Sequence, residues 1–138
     1  MSSDLRTAMQ VAASGMKAQG ARIKVISENL ANADSTSQTP GGEPYRRKTI
    51  TFKNTLDREL QAQTVRVDKI RPDKGDFELR YEPGHPAANQ DGYVLTPNVN
   101  SLIEATDMRE AQRSYEANLT VIETSRAMAQ RTLDILRG

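Results

Sequence analysis

Few residues in this chain have the type and spacing to do chemistry, and none of them completes a site. Gly15-Met16-Lys17-Ala18-Gln19-Gly20 spaces two glycines as a phosphate-binding loop does. Such a loop then needs Lys and Ser or Thr, whereas Ala21-Arg22 follow here and no apolar strand precedes. The single histidine, His85, lies between Gly84 and Pro86 in a turn, and there is no cysteine. A zinc site would therefore need several converging carboxylates. Asp73-Lys74-Gly75-Asp76 lacks the alternating ligands and terminal Glu of a calcium loop, and reads better as a hairpin turn. Asn118-Leu119-Thr120 has the form of a glycosylation acceptor but falls inside a helical pattern. The reading is of a protein that is not an enzyme, with no cofactor, no metal and no small-molecule substrate.

Charge narrows the partners. Lys and Arg number 19 against 18 Asp and Glu, for a formal charge of +1. Residues 1–40 hold four basic and three acidic side chains, 41–97 hold ten and nine, and 98–138 hold five and six. No segment carries the one-signed field of a nucleic-acid or anionic-membrane binder, so no nucleic-acid partner is expected. The basic run Arg46-Arg47-Lys48 reads as a local contact or a solvated turn. The first 25 residues contain no apolar run resembling a signal-peptide core. That suggests a cytosolic protein, or one exported by a route that reads no cleaved signal.

The elements that would position these residues fall into three parts. All six prolines lie between Pro40 and Pro97, leaving two proline-free flanks. In the first, a 4,3 walk lands on Leu5, Met9, Ala12, Met16, Gln19, Ile23, Ile26, Leu30 and Ala33, all apolar except Gln19. That is coiled-coil spacing. The second flank repeats it at Met108, Gln112, Tyr115, Leu119, Ile122, Arg126, Ala129, Leu133 and Leu136, with Asn98 or Asn100 available as cap. Between them the period falls to two at Ile50 and Phe52, at Val65 and Val67, and at Phe77, Leu79 and Tyr81. Arg71-Pro72-Asp73-Lys74-Gly75 separates the last two runs and suggests a β-hairpin between them. The division is residues 1–35 for an N-terminal helix, 36–97 for loops and a small β region, and 98–138 for a C-terminal helix. The fold class is mainly α with a small β part.

Both helices carry more apolar surface than a helix pair can hide. Val121, Met128 and Ile135 run beside the second stripe, and Ala8, Val11, Gly15, Ala18 and Val25 beside the first. Exposed contiguous apolar surface marks an interaction site, so assembly is favoured over a lone bundle. Asn29 and Asn32 sit beside the first seam in Ser27-Glu28-Asn29-Leu30-Ala31-Asn32. Asparagine is a poor helix former because its amide competes for backbone groups. There the amides would either fix register against neighbouring helices or simply face water at a fraying end.

Asn29-Leu30-Ala31-Asn32 near the end of a heptad helix resembles the signature segment of bacterial flagellar rod and hook proteins. Pro40-Gly41-Gly42-Glu43-Pro44-Tyr45-Arg46-Arg47-Lys48, Gly92-Tyr93-Val94, Pro97-Asn98-Val99-Asn100 and Arg113-Ser114-Tyr115-Glu116-Ala117-Asn118 resemble the proximal-rod branch of that family, as does the short length. The resemblance implies a structural subunit whose terminal helices pair as an antiparallel coiled coil in a helical tube that transmits torque and lines an export channel. It implies other copies of itself as partners, along with the rod proteins FlgB, FlgF and FlgG, the base adaptor FliE and the flagellar type III export apparatus. It places the chain in the basal-body rod across the periplasm, with no cleaved signal. The expected assembly interface is Met9, Met16, Ile23, Ile26, Leu30, Tyr115, Leu119, Ile122, Leu133 and Leu136, with Asn29, Asn32 and Asn118 setting register. Tyr45, Arg46 and Arg47 would touch adjacent subunits. A distal-rod or hook-type subunit and a generic coiled-coil adaptor are the alternatives.

Overall fold

The computed structural model describes residues 2–138; Met1, the first residue of the predicted N-terminal segment, lies outside them. Two long helices flank four strands: α1 (Ser2–Ala31), β1 (Lys48–Asp57), β2 (Ala62–Pro72), β3 (Glu78–Tyr81), β4 (Tyr93–Thr96) and α2 (Ser101–Arg137). The protein is thus mainly α with a small antiparallel β part. The residues divide into two compact units. The first takes residues 2–23, 51–69 and 109–138, and the second 24–50 and 70–108.

Local chemistry explains where the helices stop. Asn100 is the cap that starts α2, its Oδ1 accepting the amides of Leu102 at 3.1 Å and Ile103 at 3.3 Å. Asp4 and Glu104, in the first turns of α1 and α2, oppose the positive end of each helix dipole. At the end of α1, Asn32 donates its Nδ2 to the Glu28 carbonyl at 2.9 Å. The same carbonyl also accepts the Asn32 backbone amide at 3.1 Å, so Asn32 bonds to it twice. Asn32 is half-buried and bonded back to its own helix.

The strand runs lie where the alternation puts them, but they pair differently. The expected hairpin across Arg71–Gly75 does not form: β1 pairs with β2, and β3 with β4. The turn between β1 and β2 contains neither Gly nor Pro and is built from side chains instead. Asp57 Oδ1 accepts the amides of Glu59 and Leu60, and Gln61 takes a left-handed φ of 52°. In the second unit, Glu78, Leu79, Arg80 and Tyr81 face Thr96, Leu95, Val94 and Tyr93 respectively. Val94 is buried on one face, while Tyr81 and Tyr93 meet edge to face on the other, with ring centroids 5.3 Å apart. Gly92 sits behind Tyr81 with φ 85°, where a Cβ would come 3.0 Å from the ring.

The predicted seam of α2 is rotated. Met108, Tyr115, Ile122 and Ala129 are half-buried as expected, but Gln112, Leu119, Arg126, Leu133 and Leu136 are exposed. The inward row instead interleaves Glu104, Ala111, Asn118, Ser125 and Thr132 with the first four. Its spacing is the same 4,3 repeat, but its residues are small or polar, so hydropathy points to the wrong side. In the first unit, Gly15 of α1 lies against Asn118 of α2, Gly20 against Tyr115, and Arg22 pairs with Glu110 at 3.6 Å. A Cβ at Gly15 would stand 2.9 Å from Asn118 Nδ2, and that amide is itself tied to the Ser114 carbonyl at 3.0 Å. Gly15→Ala should therefore lower the urea midpoint despite alanine's helix preference of about 1 kcal/mol. In an Asn118→Ala background the same change should instead raise the midpoint, by the equivalent of about 1 kcal/mol in unfolding free energy. A midpoint unchanged in both backgrounds would contradict the close approach.

Candidate functional site

The candidate site is a polar cluster inside the second unit. Only three side chains of the described chain are both large and almost completely enclosed, and two are polar: Glu104 at 1% exposure and Asn29 at 0%. Val94 is the third. A helix residue carrying an amide is buried here because every hydrogen-bonding position of that amide is used. Asn29 Oδ1 accepts from the Tyr45 hydroxyl at 2.7 Å and the Lys48 amide at 2.9 Å. Its Nδ2 donates to the Lys48 carbonyl at 2.9 Å and to Glu104 Oε2 at 3.4 Å. The amide meets Lys48 as a neighbouring strand would, with one N–H and one C=O in each direction.

Glu104 is held from its other side by Arg47, whose Nε donates to Oε1. Arg47 also reaches Asp73 with NH1 at 3.0 Å. A buried carboxylate is tolerable when paired and hydrogen-bonded, and very costly otherwise. Burial works against the charge on Arg47, but its hydrogen bonds to Glu104 and Asp73 outweigh that, and its pKa is raised. Asp73 is held below the ordinary carboxylate range, chiefly by the Gly75 amide and next by Arg47. Desolvation raises the pKa of Tyr45. Arg46 lies over the Phe77 ring, 4.1 Å from its centroid, and donates to the carbonyls of Asp73 and Gly75. Asn98, the other candidate cap, is used here instead: its Nδ2 donates to the same two carbonyls and its Oδ1 accepts the Arg47 amide. These clasps hold residues 73–75 in the position where a hairpin turn was expected.

His85 is a structural loop residue, half-buried. Its Nδ1 accepts the Ala87 amide at 2.9 Å, which leaves Nε2 to donate to Thr36 Oγ1 at 3.0 Å.

The structure thus gathers Asn29, Tyr45 and Arg47 into one network, with Arg46 beside it, all bonded within the chain. Leu30 and Asn32 follow at the end of α1, and Ile26 is buried one turn before Asn29. Met9, Met16, Ile23, Tyr115, Asn118 and Ile122 are half-buried, and Leu119, Leu133 and Leu136 are exposed. Glu104, Lys48, Asp73 and Asn98 were not among the sequence-derived candidates. Glu104 gave no such signal, because the inward row of α2 on which it lies is otherwise small or polar and hydropathy does not mark it.

This site lies on the segments that carried the family resemblance, and comparison with known proteins decides the matter. Residues 9–37 match the family model for flagella basal body rod protein, and residues 90–135 match that for the flagellar basal body rod FlgEFG protein C-terminal region. The FlgC basal-body rod protein of Agrobacterium fabrum is 50% identical, over 97% of this chain and 96% of its own. That of Borreliella burgdorferi is 43% identical over 97% and 99%, and that of Bacillus subtilis 39% identical over 92% and 95%. The chain belongs to the FlgC family of flagellar basal-body rod proteins. It is a structural subunit of the proximal rod, located in the basal body, and the relatives that define FlgC are structural rod proteins. In this FlgC chain the asparagine of the Asn-Leu-Ala-Asn segment works inside the subunit, a role that spacing alone did not disclose.

Two outcomes follow. Asn29→Ala strands the Lys48 backbone groups and one oxygen of Glu104, and should cost roughly 2–4 kcal/mol in urea unfolding. Asn29→Gln should not restore it, because the extra methylene displaces the amide. Asp73, with its lowered pKa, contributes stability that is present above the ordinary carboxylate pKa and lost as pH falls through the lower folded value. The stability gap between wild type and Asp73→Asn should therefore shrink on acidification; a gap that widens would contradict the pairing.

Proposed function

We propose that the chain assembles with copies of itself and with other rod proteins through helix faces that it leaves uncovered, forming a tubular axial structure. The observation that carries this reading is the outer surface of α2. Leu119, Val121, Met128, Leu133, Ile135 and Leu136 all remain exposed, Ile135 at 78% and Leu136 at 77%. Full burial of a large apolar side chain is worth roughly 1.5–3 kcal/mol, and most of that is forgone at Ile135 and Leu136. Heterologous contacts that do not close on themselves extend into an open helical array, which would cover the same face on every subunit.

The opposite order of Gly15–Asn118, Gly20–Tyr115 and Arg22–Glu110 along the two helices supports antiparallel coiled-coil pairing. Of the expected interface, Leu119, Leu133 and Leu136 are assigned to direct contact. Met9, Met16, Ile23, Leu30, Tyr115 and Ile122 line the helix pair and offer only their outer edges. Ile26, Asn29, Asn32, Tyr45, Arg46, Arg47 and Asn118 act from within by fixing the elements that present the surface. The partners of this reading are FlgB, FlgF, FlgG and FliE, with delivery through the flagellar type III apparatus without a cleaved signal. The assembled tube spans the periplasm, transmits torque and lines the export channel. Similarity along nearly the whole of the FlgC relatives favours this over a distal-rod or hook-type subunit or a coiled-coil adaptor.

Val121→Asp combined with Ile135→Asp alters two exposed positions and should leave the circular dichroism of the purified chain unchanged. Expressed in a strain deleted for the gene, that variant should be synthesised but fail to restore swimming. Full swimming would overturn the assignment of this face.

A further inference from the structure

We propose that the bare face of the β3–β4 ribbon, centred on Tyr81 and Tyr93, is a docking surface for a second copy of this chain, which meets it with Lys69 and Arg71 of its β2. The register sets Leu79 opposite Leu95 and Tyr81 opposite Tyr93, and directly opposed residues share one side of a sheet. The other side is the packed one, with Val94 and Thr96 buried. Leu79 and Tyr81 are each 62% exposed, and Tyr93 is exposed beside them. A ribbon of two four-residue strands is marginal when only one of its faces is covered.

The rings are exposed but held in place. Tyr81 lies over Gly92, where a Cβ would come 3.0 Å from the ring, and it meets Tyr93 edge to face. Aromatic rings fixed in advance lose little freedom on binding, which suits them as anchors. The charges around them select the partner. Arg80, the cation of this ribbon, lies on the other side and is paired with Glu82 at 3.2 Å and Asp34 at 3.7 Å. Asp91, two residues before Tyr93, is exposed and carries no ion pair among the described residues. Two tyrosine faces beside a free carboxylate attract a strand that carries cations.

β2 is such a strand. Lys69 and Arg71 lie two residues apart, so they share one of its faces at a separation of about 7 Å. The ring centroids stand 5.3 Å apart, a comparable spacing. Both cations are exposed, and neither has an ion pair or ring contact among the described residues. Elsewhere on the strands, Lys48, Lys53 and Arg80 already face carboxylates. Size then decides where the contact forms. The ribbon face covers on the order of 130 Å², whereas a stable complex buries about 800 Å² per partner. The face is too small to start an association and closes only between copies that helix contacts already hold side by side. It therefore rests on the tubular assembly proposed above. Because two different patches meet, the contact repeats from copy to copy.

The chain has no cysteine, so introduced thiols report cleanly. Leu79→Cys and Lys69→Cys, placed in separately tagged copies and expressed together in a strain deleted for the gene, leave both rings and Arg71 intact. A short bismaleimide applied to isolated hook–basal bodies should then yield a covalent dimer carrying both tags. A dimer formed by Leu79→Cys copies alone would mean that the ribbon faces meet each other, and would overturn the proposal. So would linkage to a different rod protein, or swimming cells whose basal bodies yield no dimer. The tubular reading would survive those results, since the α2 variant tests it separately. Charge reversal decides the case if the thiol variants do not assemble. Lys69→Glu with Arg71→Glu should shrink the swimming halo, because carboxylates then face the rings and Asp91. Asp91→Lys in the same chain should recover much of it, since every copy carries both patches. A halo that the reversal leaves unchanged, or that Asp91→Lys fails to recover, would overturn the contact.

Discussion

One amide with no vacancy organises the second unit. The Asn29 side chain has two positions to accept and two to donate, and Tyr45, Lys48 and Glu104 fill all four. An apolar residue in that place would leave a strand backbone and one oxygen of a carboxylate without partners. An aspartate would turn a donor into a second negative charge beside Glu104. The requirement extends outward: Glu104 needs Arg47, Arg47 reaches Asp73, and Asp73 lies in the loop that Arg46 and Asn98 clasp. The apolar side chains of the core are mostly small, among them Ala12, Ala18, Ala87 and Ala111. Dispersion among such residues is modest, and shape specificity therefore falls to hydrogen-bond geometry.

The exterior of α2 is organised the other way round. Its inward row carries Ala111, Ser125 and Thr132, while its outer surface carries Leu119, Met128 and Ile135. A helix that shows its larger apolar groups to the outside is poorly suited to life alone. For a rod subunit this is sensible. Close contact within the pair is secured by small side chains, as where Gly15 meets Asn118, and the larger groups remain for neighbours.

Much of this was legible in the sequence, and the misreadings have physical causes. Two proline-free heptad flanks announced both helices, and alternation located three of the four strand runs. Strand pairing was misassigned because Pro72 and Gly75 look like a hairpin turn, whereas the real turn uses Asp57 and a left-handed Gln61. The helical seam of α2 was misplaced because hydropathy finds the largest apolar residues, and here those face outward. The oddity of Asn29 was visible, but its partner Glu104 was not, because a carboxylate 75 residues away leaves no periodic trace. Asn32, three residues on in the signature, turned out to bond back to its own helix at the Glu28 carbonyl.

The bond between Asn29 and Lys48 has a consequence for aggregation. The Arg47 carbonyl accepts the Asp73 amide on one side of the chain, so the N–H and C=O of Lys48 point to the opposite side. That is the open margin of a two-stranded ribbon, where a stray strand could add and start a cross-β stack. The Asn29 carboxamide occupies it, and on the other strand the Ser14 hydroxyl takes the Val65 amide. Two helix side chains thus blunt the ribbon, leaving a molecule that must polymerise by its helices less able to polymerise by its sheet.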